Sequence, residues 1–129
     1  MKIETIYITA NSKFSTYVVE WAESVGISHE EFDIKAQLTE KGLGLLFVNE
    51  NHDLDKDLVD LHDLFDKKHF PTQKIDVNGT LQVAVSNFEL WLNNNKCSKV
   101  LIIGDDSLVK NDNLNRFFSR IKKAKVTAS

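Results

Sequence analysis

A three-layer α/β/α domain with a mostly parallel five-stranded sheet is predicted by three features of this 129-residue sequence. Strand-like and helix-like segments alternate along its whole length. Two segments, Leu43–Val48 and Val100–Ile103, are continuous apolar runs, as strands buried on both faces require. The segments between them carry apolar residues at helical spacing, which covers such a sheet on both sides.

The first strand is read in the alternating, β-branched Ile3–Thr9. Asn11 or Ser12 can cap the next helix, whose stripe is Phe14, Val18, Trp21, Ala22 and Val25. Gly26 supplies its end. Glu31–Ile34 is the second strand, a short edge segment. Only Lys35 to Leu43 then precede the next apolar run, so either a short helix or an antiparallel connection joins them. Leu43–Val48 is the third strand, and Leu54, Leu58, Leu61 and Phe65 mark the helix after it, stopped by Pro71. Gln73–Val77 is a shorter, more polar strand near one side of the sheet. Asn78-Gly79-Thr80 opens a helix with the stripe Leu81, Val85, Phe88, Trp91 and Leu92. The fifth strand, Val100–Ile103, leads to a last helix on Leu114, Phe117, Phe118 and Ile121, capped by Asn111 or Asp112. The expected strand order is the flavodoxin-like 2-1-3-4-5, with right-handed crossovers. Residues 1–129 are expected to form one domain, with 123–129 as a frayed tail.

Composition narrows the function. The chain is 42% hydrophobic and 27% charged, which excludes a disordered or collagen-like chain. A net charge of −3 argues against a basic nucleic-acid binder. The lone Cys97 has no partner for a disulfide or a Cys-x-x-Cys site, and is expected to be a small residue at a strand boundary. No apolar run approaches the roughly 18–20 residues of a membrane span. The amino terminus has no apolar signal-peptide core, so the expected location is cytoplasmic.

In parallel sheets, ligands bind beyond the carboxyl ends of the strands, where helix N-termini converge. That rule collects Asn11 and Ser12, Asn49, Asn78 and Thr80, and Asp105 as candidate ligand-binding residues. The same residue types serve as ordinary turn and capping residues, and no glycine-rich phosphate loop or nucleophile motif accompanies them. Glu50, Asp105 and Asp106 are candidate Mg²⁺ ligands, since that ion prefers carboxylate oxygens. Glu50 and His52 are the general acid or base of choice for an enzyme at this edge.

A phosphoryl-accepting receiver domain would carry an acidic pair, an Asp and a Lys after its first, third and fifth strands. Here those places hold Asn11-Ser12, Asn49-Glu50 and Asp105-Asp106. Asp55, His62, Asp66 and His69 share a helix stripe that could ligate Zn²⁺ or Fe²⁺, against the plainer reading of a solvated flank. Charge is segregated, with acids concentrated over residues 50–66 and bases over 116–125. Those two surfaces are complementary, which suits a homodimer.

The sequence therefore predicts a protein- or small-ligand-binding module without a catalytic signature. The alternative is a Mg²⁺-assisted enzyme or binder acting on a nucleotide or phosphorylated metabolite at the strand edge.

Overall fold

The computed structural model describes residues 3–9, 12–50 and 55–123. Five strands, β1 (Thr5–Ile8), β2 (Ser28–Glu31), β3 (Leu43–Asn49), β4 (Thr72–Asp76) and β5 (Lys99–Gly104), form one all-parallel sheet. Helices α1 (Lys13–Val25), α2 (Ile34–Gln37), α3 (Lys56–Lys67), α4 (Leu81–Asn95) and α5 (Asp112–Lys123) alternate with them. A 3-10 helix, Asp106–Lys110, follows β5 directly.

The α/β class stands as expected, but the strand order does not. It is 2-1-5-3-4 rather than the flavodoxin-like 2-1-3-4-5. The physical reason lies in burial. Residues 100–103 of β5 and all of β3 are buried, whereas every residue of β2 is exposed and β4 buries only Ile75. Putting β5 at an edge would have exposed an apolar strand, so it inserts between β1 and β3 and leaves the two polar strands outside. The second strand also begins earlier than expected, and Ile34 starts α2 instead of ending a strand. That one-turn helix settles the open connection before β3 as parallel.

Strand parity sorts the core into two layers. Ile6, Leu46, Val48, Val100 and Ile102 pack with Phe14 and Trp21 of α1, Phe88 of α4 and Phe117 of α5. Tyr7, Leu45, Phe47, Leu101 and Ile103 face Phe65 of α3 on the other side. The connections through α1 and α4 step toward β2, and the one through α3 steps toward β4. A single crossover hand requires those two directions to use opposite faces, and they do.

Local chemistry explains the helix ends. Ser12 caps α1 by accepting the Ser15 N–H, and Gly26 closes it in the left-handed conformation at φ 75°. Asp55 caps α3 and Asn111 caps α5 through the Asn113 N–H. Among the described residues, no helix is long and apolar enough to cross a membrane.

Candidate functional site

Because β3 hands its chain to one face while β1 and β5 hand theirs to the other, the sheet divides at its carboxyl edge. A crevice is expected where the directions part. Among the described residues, one recess at this edge lies beside the ends of β1 and β2, where Ser12 and Glu31 line it, and two others lie beside the end of β5.

Of these two, the first, about 530 Å³, is lined by Glu50, Ser107, Lys110, Asn111, Asn113 and Arg116, together with Asp112. Its frame is a hydrogen-bonded set drawn from the ends of three strands. Ser107 Oγ donates to Glu50 Oε1 at 3.1 Å, and Asn111 Nδ2 donates to Glu50 Oε2 at 2.7 Å. Asn111 Nδ2 also donates to Asn78 Oδ1 at 2.9 Å, and Asn113 Nδ2 reaches the same oxygen at 3.0 Å. Glu50 is thus fixed by two donors, and the asparagines are fixed by one another. Lys110 and Arg116 stand apart from this frame: among the described residues, neither side chain takes part in a hydrogen bond or ion pair. With the carboxylates of Glu50 and Asp112 the lining is formally neutral, and Lys110 and Arg116 supply its local positive charge.

The second recess, about 430 Å³, lies between the ends of β1 and β5 and the start of α3. Asp55, Asp57, Asp105 and Asp106 line it with Thr9, Gly104, Leu58 and Leu61. Most of its carboxylates already work as caps. Asp55 accepts from the N–H groups of Asp57 and Leu58, and Asp105 from that of Ser107. Asp106 Oδ1 accepts the Phe14 N–H at 3.0 Å.

The residues singled out from the sequence therefore separate. Glu50 and Asn78 come together in the first recess, whereas Asp105 and Asp106 line the second. Glu50 meets Ser107 and Asn111 rather than another carboxylate, and no group of three or more His, Cys, Asp or Glu among the described residues is placed to hold a metal ion. Ser12 serves as the α1 cap. Thr80 precedes α4 without a side-chain capping bond. Asn11 and His52 lie outside the described residues.

Asn49 is the exception in kind. It is 4% exposed at the end of β3, and its Oδ1 has no hydrogen-bond partner among the described residues. A buried carbonyl left in that state costs about 1–3 kcal/mol.

On α3, Asp55 is spent as the cap, His62 contacts Asp63 at 3.3 Å, and His69 lies beyond the helix at φ 65°. Cys97 is fully buried, and burial pushes its thiol up to about 11, away from the reactive thiolate. Sequence reasoning did not select Lys110 or Asn113, and reached Arg116 only as the start of the basic run over 116–125. The signal available was the density of asparagine in Asn111-Asp112-Asn113-Leu114-Asn115, directly after the last strand's turn.

No protein-family model matches this chain, and no curated protein matches it. A crystal structure from Syntrophus aciditrophicus SB, described as a "Putative molybdenum carrier protein", has a similar fold. It superposes with a TM-score of 0.71 and 11% identity, over 98% of this chain and 96% of that one. At that identity the likeness establishes the fold.

Proposed function

We propose that this protein is a binding module for a small anionic ligand, a phosphorylated compound or a comparable oxyanion, held in the recess beside Glu50. The observation that carries the reading is the presence of two cations without a partner among the described residues, Lys110 and Arg116, beside a frame in which amides and a hydroxyl hold the Glu50 carboxylate. Arg116 offers a planar fork suited to two oxygens of one anion, and Lys110 a mobile point charge. Glu50 is anchored where it can accept from a hydroxyl or amino group on the remainder of the ligand, giving selectivity over a bare ion. The recess sits at the edge of a parallel sheet where such folds receive ligands. The structural neighbour's name adds molybdate, a tetrahedral dianion like phosphate, to the first probes.

The test is thermal unfolding with orthophosphate, molybdate, sugar phosphates and nucleotides, followed by titration calorimetry on any that shift the midpoint. A ligand at about 100 times its Kd adds roughly 2.7 kcal/mol to stability. The expected result is a shift for at least one anion that Arg116→Ala and Lys110→Ala each reduce. A flat response to every anion, or a shift unchanged in both variants, would overturn the proposal.

A further inference from the structure

The recess beside Glu50 is lined by charges of both signs, and among the described residues they form no ion pair with one another. Glu50 and Asp112 bring carboxylates, and Lys110 and Arg116 bring cations. The Glu50 oxygens are held by neutral donors alone, the Ser107 hydroxyl at 3.1 Å and the Asn111 amide at 2.7 Å. Those bonds fix its position without cancelling its charge. Asp112 lies one turn before Arg116 on α5, the spacing at which opposite charges commonly pair. Neither side chain has a partner among the described residues.

We infer that the ligand of this recess is a zwitterion, a small molecule that carries a phosphate and, a few bonds away, a protonated amine. The inference rests on the anion-binding reading above and narrows it. The argument is charge balance. A bare anion here is attracted by Lys110 and Arg116 and repelled by Glu50 and Asp112 in the same space. A hydroxyl on the ligand leaves that repulsion in place. An ammonium group offsets it, and brings three donors to carboxylates that have only acceptors to offer. The paired cations suit a phosphate monoester, whose charge at neutral pH approaches two.

Rigidity assigns the two ends of the ligand. Lys110 and Arg116 are long and unanchored, so they adapt to the anionic end. Glu50 is already ordered, so a contact to it costs the protein little side-chain entropy. A carboxylate has about four acceptor positions, and the bonds from Ser107 and Asn111 leave capacity for the ammonium. Glu50 is accordingly the residue that selects the amine.

Titration calorimetry on the full chain at neutral pH tests it. Aminoethyl and aminopropyl phosphate are compared with hydroxyethyl and hydroxypropyl phosphate, which match them in length and lack only the positive charge. The better amine is expected to bind about tenfold more tightly than its hydroxyl counterpart, the gain of a hydrogen bond between charged groups. Glu50→Gln keeps the side chain's shape without its charge and should erase that preference. Asp112→Asn alters an exposed side chain that holds nothing in place, and should reduce the preference even if Glu50→Gln disturbs the frame. Arg116→Ala should weaken amine and hydroxyl phosphates alike. Equal binding of the two classes by wild type would overturn the inference and leave the anion site standing. A preference that survives both carboxylate variants would also overturn it, by placing the ammonium elsewhere. If no phosphate binds, with or without an amine, the anion-binding reading itself fails and this inference with it.

Discussion

Asp106 accepts the backbone N–H of Phe14 at 3.0 Å, tying the 3-10 helix after β5 to the first turn of α1 across 92 positions of sequence. Ser12 already satisfies the Ser15 N–H, so the two side chains divide the free donors of that helix end between them. A carboxylate there also interacts favourably with the helix dipole. The residue offered by the sequence as a metal ligand is thus engaged as a long-range cap.

Asp106→Ala is therefore expected to destabilise the fold by about 1 kcal/mol, the usual cost of a lost capping group. The midpoint of thermal unfolding should fall by a few degrees. Adding Mg²⁺ should not distinguish the variant from wild type. A variant as stable as its parent would mean that the Phe14 N–H finds water at no net cost.

What the sequence revealed followed from burial, and what it hid followed from contacts between distant segments. The apolar runs at Leu43–Val48 and Val100–Ile103 identified two interior strands, and both are interior. Their neighbours were not stated by any local pattern. The polar strands Ser28–Glu31 and Thr72–Asp76 did hold the answer, because a sheet places its polar strands outermost, and this excludes β5 from an edge. The caps Ser12 and Gly26 were legible because they act within one turn. The union of Glu50 with Asn78 and Asn111 was not, since it joins three strand ends that meet only in the folded sheet.

Glu40 ties the loop before β3 to the sheet by accepting from Tyr7 and from Lys99. The Lys99 hydrogen bond, and after it that of Tyr7, holds the Glu40 carboxyl below its ordinary value despite burial. A carboxyl depressed in the folded state gives stability that is present above its unfolded pKa and lost as pH falls through the folded one. Tyr7 moves the other way: burial first, then Glu40, pushes it from 10.0 up to about 12. Its contribution is complete below 10.0 and disappears as pH rises through about 12. Urea midpoints measured against pH should fall at both ends. Glu40→Gln should flatten the acid limb, and Tyr7→Phe should flatten the alkaline one. Limbs unchanged in both variants would locate the dependence elsewhere.

Just beyond α3, His69 turns the chain at φ 65°, with the Phe70 N–H bonded to the Phe65 carbonyl and the Phe65 and Phe70 rings 5.7 Å apart. This is the closure that glycine favours, and an L residue there bears a steric cost of about 1–2 kcal/mol. His69→Gly is expected to raise stability by about 0.5 kcal/mol once glycine's greater freedom in the unfolded chain is deducted. The reverse change at Gly26, φ 75°, to alanine should lower it by a comparable or larger amount. Equilibrium urea unfolding of the two variants provides the comparison, and the same sign for both would refute the backbone argument.

Asn49 offers the sharpest separation of stability from function. Its parity along β3 matches Leu45 and Phe47, so it belongs to the α3 face, one step beyond the Val48–Gly104 pair. Neighbouring groups satisfy its backbone, as the Val77 N–H donates to its carbonyl, but not its side-chain Oδ1. Leucine has the same branching with no polar atom, so Asn49→Leu removes an unsatisfied acceptor and leaves the volume nearly filled. The expected gain is about 1–2 kcal/mol, read as a higher urea midpoint with an unchanged slope. Loss of stability would show that the amide is favourably solvated or bonded in solution. A gain accompanied by a weaker response to the anion that binds wild type would place Asn49 among the groups kept for the ligand edge at the expense of stability.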